Sequence, residues 1–146
     1  EAYDFHNPAV KLRNFIWEVF ASHYLEVVKA RAYNQEKSFS NEEANSAKYT
    51  LHFLLERFLE LIYPIIPQIT STIANEKKID LLFSEFPKPK IGKSKLELVN
   101  KLIEFNSNVW RIKKDKGISL KEGIEGIKIP KDLEDFEKDL KACHKI

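Results

Sequence analysis

Apolar positions in the first third of the chain recur at spacings of three and four. Leu12, Ile16, Val19, Phe20, His23 and Val27 therefore share one helical face. A second line, Arg13, Trp17, Tyr24, Val28 and Arg31, is offset by roughly a quarter-turn at ~100° per residue. Asn7-Pro8 reads as the start, because Asn caps free N–H groups and Pro suits the first turn. The pattern continues to about Tyr33, and so wide an apolar arc predicts a helix sandwiched between neighbours.

Ser40-Asn41-Glu42-Glu43 has the form of a capping box. The helix after it points Leu51, Leu54, Leu55, Phe58, Leu59 and Ile62 inward and stops near Tyr63, because Pro64 cannot continue it. Pro67 opens a short third helix to about Asn75, and residues 76–93, with Phe86-Pro87-Lys88-Pro89 and Gly92, form a linker. Ser94-Lys95-Leu96-Glu97 is a second capping box. Its helix carries Leu98, Leu102, Phe105, Val109 and Ile112 on one line and Val99, Ile103, Asn106 and Trp110 on another, and Gly117 ends it. Ser119-Leu120-Lys121-Glu122 predicts a brief helical turn, Ile127-Lys128-Ile129 a short strand, and Leu133 to Cys143 a last helix burying Leu133, Phe136 and Leu140.

The expected fold is mainly α: an antiparallel helical bundle with a small C-terminal α/β appendage. Residues 1–93 make the first part of the bundle. Residues 94–146 add a further bundle helix and the small α/β segment, whose strand lacks a partner, so that either another segment supplies one or the end at Ile146 cuts it off.

Composition narrows the class. A 146-residue chain that is 43% hydrophobic and 12% aromatic suits one folded domain. Its start at Glu1 and lack of any Met suggest an excised piece. No apolar run approaches the ~20 residues of a membrane span, and a single Cys143 suits a reducing cytoplasm. His6, His23, His52 and His144 lack zinc spacing, and no pair of carboxylates suggests acid–base catalysis. Net charge is only +2, but it is unevenly spread: −3 over residues 1–76, +6 over 77–116 and −1 over 117–146. A basic middle is a candidate phosphate footprint, and equally a solvated lysine surface.

Three stretches carry a family resemblance. The run Arg13-Asn14-Phe15-Ile16-Trp17-Glu18-Val19-Phe20-Ala21-Ser22-His23-Tyr24-Leu25-Glu26-Val27-Val28-Lys29 resembles the signature helix of the anticodon-binding domain in valyl-tRNA synthetases and their isoleucyl and leucyl relatives. Leu59-Glu60-Leu61-Ile62-Tyr63-Pro64-Ile65-Ile66-Pro67-Gln68-Ile69-Thr70 resembles the leucine-rich helix and Pro-x-x-Pro kink found across these enzymes. Phe105 to Lys113, Gly117 to Leu120, Ile129-Pro130 and Asp139-Leu140 look like the archaeal-type valyl form. Ser71-Thr72-Ile73 departs from the family's Glu-Glu-aromatic, Phe86-Pro87 stands where a Trp-Pro is usual, and the domain's usual first helix is absent.

The resemblance implies a class I synthetase bundle that grips the anticodon stem-loop of tRNA(Val), beside the catalytic and editing domains of its parent. It implies no catalysis and no cofactor in this chain, ATP and Mg being used by the parent. Neither the His-Ile-Gly-His type motif nor the Lys-Met-Ser-Lys-Ser loop is present, and Gly92-Lys93-Ser94-Lys95 reads as a loop and helix cap.

RNA recognition needs cations for phosphates and flat groups for unstacked bases. Candidates are Lys11, Arg13, Asn14, Trp17, Tyr24 and Arg31 on the first helix, with Lys11, Arg13 and Asn14 placed near its start, where free N–H groups also attract phosphate. Lys93 and Lys95 (with Lys88 and Lys90), and Arg111 and Lys113 (with Lys114 and Lys116), complete the set. The plainer alternative packs Trp17 and Tyr24 in the bundle, pairs the arginines with acids, and leaves the lysines as solvated or helix-end charges. Asn106 and His23 read as hydrogen-bonded core residues. Two rival functions stay open: the same domain of an isoleucyl enzyme, and a helical protein-interaction module.

Overall fold

The computed structural model describes residues 4–88 and 96–146. The first helix is continuous but changes register twice: α1, His6–Asn14, runs into a π-helix, Phe15–Tyr24, and then into α2, Leu25–Tyr33. Its start is held by Asp4 rather than Asn7. The Asp4 carboxylate accepts from Asn7 N (3.1 Å) and Asn7 Nδ2 (2.6 Å), so Asn7 lies inside the first turn as a donor.

In the π stretch hydrogen bonds reach five residues back, and the Ser22 hydroxyl donates to the Trp17 carbonyl at 2.8 Å. Residues five apart therefore line up. Phe15 and Phe20 both meet Phe58, with ring centroids 6.1 and 4.9 Å away. The first expected line holds, since Leu12, Ile16, Val19, Phe20 and His23 are all part-buried, whereas Arg13 and Trp17 of the second line are exposed, and neither α1 nor the π segment contains a fully buried residue. Full burial comes only in the α2 portion, through Val27, Val28 and Ala32, while the π segment is part-buried between Phe58 and Trp110.

Asn34 ends α2 in the left-handed region (φ +46°). Its side-chain amide accepts from Phe39 N (3.0 Å) and donates to Phe39 O (2.8 Å), closing the turn and seating buried Phe39. So short a connection makes the next helix an antiparallel neighbour. That helix is α3, Asn41–Ile62, capped as expected: Ser40 Oγ accepts from Glu43 N (3.1 Å) and Glu43 accepts from Ser40 N (2.6 Å). Lys138 reaches the same Glu43 carboxylate at 2.8 Å, tying the cap to the C-terminal helix.

Pro67 opens α4, Pro67–Lys77. The expected capping box at 94–97 falls mostly outside the described residues, as does the loop through Gly92 and Lys93. Leu96–Asp115 forms α5. It ends in a Schellman turn: Ile118 N donates to Lys113 O (2.8 Å) and Gly117 N to Lys114 O (3.0 Å), with Gly117 at φ +67°. A 3-10 segment, Lys131–Phe136, leads into α6, Glu137–His144.

α2 stands between α3 and α6. Toward α3, Val28 and Ala32 pack on Ala47, small side chains that let the helices approach closely. On its other side Val27 joins Leu102, Phe105 and Val109 of α5 with Ile124, Leu133 and Leu140. A third cluster, Leu59, Ala74 and Leu81, holds α4 to α3. The described residues contain no strand, so the expected α/β appendage is corrected. In Ile127-Lys128-Ile129 both isoleucines pack on the core and Lys128 faces water, which accounts for the alternation, but no strand forms there. Among the described residues no helix is long and apolar enough to cross a membrane.

Candidate nucleic-acid interface

The π segment sorts the candidates of the first helix. Lys11 and Arg13 are exposed in the last turn of α1, and Trp17, one turn further, is 72% exposed. The helix begins at His6, so Lys11, Arg13 and Asn14 lie beyond its four free N–H groups, on the helix flank and not at its start as expected. Tyr24 turns inward. It stacks on Phe20 at 5.7 Å, and burial pushes its hydroxyl above the usual tyrosine range, so it is a packing residue. Arg31 is spoken for as well: its Nε lies 3.1 Å from Asp139 Oδ1 of α6, an ion pair by distance without straight hydrogen-bond geometry. Burial raises the Asp139 carboxyl, while the guanidinium pulls it back down.

Lys113 is the clearest departure from the sequence expectation. It is fully buried, and its ammonium donates to three carbonyls: Leu120 (3.1 Å), Glu122 (2.7 Å) and His144 (2.8 Å). Burial holds its pKa below the ordinary lysine range. With its donors saturated inside the fold, Lys113 is a structural lysine and not a phosphate contact. The spacing of Leu102, Asn106, Val109 and Lys113 carried that signal, since all four follow one buried line of α5.

Arg111 remains on the surface, its guanidinium donating to Asn108 Oδ1 at 3.1 Å, with Lys114 and Lys116 exposed nearby in the chain. Lys90, Lys93 and Lys95 lie outside the described residues. Lys88 is exposed and pairs with Glu85 at 3.2 Å.

A ring stack joins α5 to the π segment. Trp110 lies 5.2 Å from His23, nearly parallel, and 5.8 Å from His144, edge to face. Beneath it, His144 Nε2 and Asn106 Oδ1 are 2.7 Å apart and both residues are fully buried, so Asn106 is the bonded core amide that the sequence suggested. His23 differs: its Nδ1 has no partner, and stacking rather than hydrogen bonding holds it. Burial, with Lys113 nearby, pushes His144 down to about 4, while burial raises the Cys143 thiol to about 11. Both are neutral near pH 7. The surface left to a ligand on these elements is therefore Lys11, Arg13, Trp17 and the Arg111 flank.

Comparison with known proteins adds an independent finding. Residues 1–128 match the family described as the anticodon-binding domain of tRNA ligase. The valine–tRNA ligase of Nanoarchaeum equitans is 38% identical over 150 aligned positions, covering 99% of this chain and 18% of that protein. That of Pyrobaculum aerophilum is 36% identical over 148 positions, with the same coverages, and that of Aeropyrum pernix 33% over 154, covering 97% and 18%. The chain spans less than a fifth of the length of these curated relatives. No solved structure matches it.

Proposed function

This chain belongs to the anticodon-binding domain family of tRNA ligases, and on that premise we propose that it holds the anticodon stem-loop of tRNA(Val) for a valine–tRNA ligase of archaeal type. The observation that carries the reading is the division within the first helix. Its second half is packed, while its first half has no buried residue and turns Lys11, Arg13 and Trp17 to solvent. Lys11 and Arg13 would neutralise backbone phosphates, and Trp17 offers a face for an unpaired base. Arg111 adds a third cation, from a helix fixed to the same segment by the Trp110–His23 stack.

In this reading the chain carries no catalytic group. Attachment of valine, with ATP and Mg, falls to the parent's catalytic domain, its editing domain lies alongside, and the whole enzyme works in the cytoplasm.

The test is titration of the 146-residue chain with valine, isoleucine and unrelated tRNAs across a salt series. Preference for valine tRNA is expected, with log K falling against log salt at a slope of about −2 to −3 for three phosphate contacts. Preference for isoleucine tRNA would move the assignment to the isoleucyl relative. A folded chain that binds no tRNA would overturn the reading.

A further inference from the structure

The outer face of α3 carries a row of side chains outside the surface described so far. Asn45, Tyr49, Phe53 and Arg57 follow at intervals of four, forming one ridge about 18 Å long at 1.5 Å per residue. It lies away from Ala47, which packs on Val28 and Ala32 of α2. Tyr49 is 73% exposed and Phe53 41%. The Arg57 guanidinium sits over the Phe53 ring, 5.4 Å from its centroid, and is held by Glu60 Oε1 at 2.7 Å. Among the described residues the other cation–ring pair, Lys138 over Phe39, covers a buried ring. Only the Arg57–Phe53 pair is presented outward.

We propose that this ridge is a second RNA-contact surface that stacks unpaired nucleotides of the tRNA gripped by the first helix. The inference rests on the RNA-binding reading above. Two aromatic rings and a guanidinium plane on successive turns offer the flat faces that unstacked bases take, and Asn45 adds an amide able to read a base edge. Lys48 is exposed beside the ridge and can meet a phosphate, while the Glu60 carboxylate lies buried and paired with Arg57. Arg57 is prefixed by Glu60, so less freedom is lost when a base covers it. Phe58, next to Arg57 in the chain, meets Phe15 and Phe20, so α3 packs directly on the segment that bears Trp17.

The experiment titrates the anticodon stem-loop of valine tRNA, across salt, into the wild-type chain and into Tyr49→Leu, Phe53→Leu and Arg57→Lys, with Arg13→Ala as comparator. Melting temperatures confirm folding, which these exposed positions should leave intact. The expected result is weakening of roughly 5- to 150-fold for each lost ring with the salt slope unchanged, because no phosphate contact is removed. Arg57→Lys keeps the charge but loses the planar stack, so it also weakens binding at constant slope, whereas Arg13→Ala lowers the slope by about 1. Ring variants that bind like wild type, while Arg13→Ala loses affinity, would overturn the ridge and leave the first-helix site standing. A wild-type chain that does not bind the stem-loop would overturn the RNA-binding reading, and the ridge with it.

Discussion

Lys113 and His144, 31 residues apart, meet where the end of α5 touches the end of α6: the lysine ammonium donates to the histidine carbonyl at 2.8 Å. The same ammonium holds Leu120 O and Glu122 O, so one side chain fastens the loop after α5 and the C-terminal turn together. Lys113→Met keeps the stem but leaves three carbonyls without their donor. It should destabilise the chain by about 3 kcal/mol, measured by urea unfolding, with amide exchange rising first over residues 117–125 and 140–146. An unfolding midpoint equal to wild type would contradict the bond network.

His144 makes stability depend on pH. Its folded pKa of about 4 lies below the model-compound 6.5, so the unfolded chain binds the extra proton between those values. Stability from this residue is complete above pH 6.5, declines as pH falls toward 4, and amounts to about 3 kcal/mol. Asp139 and Glu60, both raised by burial, act in the opposite sense. The comparison is therefore between wild type and His144→Gln, whose unfolding midpoint should change less between pH 7 and 4.5.

Asn34 combines a left-handed backbone with two bonds to Phe39. Asn34→Gly keeps the backbone at ease and loses the clamp, costing about 1–2 kcal/mol; Asn34→Ala loses the clamp and adds left-handed strain, costing about 1 kcal/mol more. Thermal denaturation should rank them in that order, and equal losses would mean that the backbone conformation carries no cost.

Gly123 is constrained by space rather than by φ. A Cβ there would stand 2.9 Å from the Lys145 carbonyl oxygen, a backbone atom that Ile124 N holds at 3.2 Å. Gly123→Ala should cost about 1–3 kcal/mol. Gly126 has open space around it and a φ of +84°, so Gly126→Ala should cost only its backbone strain, about 1 kcal/mol. Urea midpoints of the two variants separate these causes.

Trp17 is the counter-case, a large ring with little to lose on the protein side. Trp17→Ala should leave stability within about 0.5 kcal/mol while weakening tRNA binding roughly 5- to 150-fold. A large drop in melting temperature would return Trp17 to the core.

The elements themselves were legible because their signals are local. Ser40 and Glu43 cap each other, Pro64 and Gly117 stop helices, and the line Leu102–Phe105–Val109 buries one face of α5. The candidate site was only partly legible. Arg13 and Trp17 were in view, but so were Tyr24, Arg31 and Lys113, which carry the same chemistry and face inward. The ridge on α3 escaped because its aromatics recur at helical spacing, as core residues do.

By itself the sequence determined the helices, the stops at Pro64 and Gly117, the Ser40 cap and the family, since propensity, capping and residue identity act within a few positions of the chain. Tertiary structure decided which charges meet water. Arg31 and Lys113 are bound by Asp139 and the His144 carbonyl, partners 108 and 31 residues away, and Ile127–Ile129 stays unpaired because a strand needs a neighbour that no local pattern supplies. The π register of Phe15–Tyr24 belongs to the same class: Phe58, from another helix, receives both Phe15 and Phe20 at the five-residue spacing.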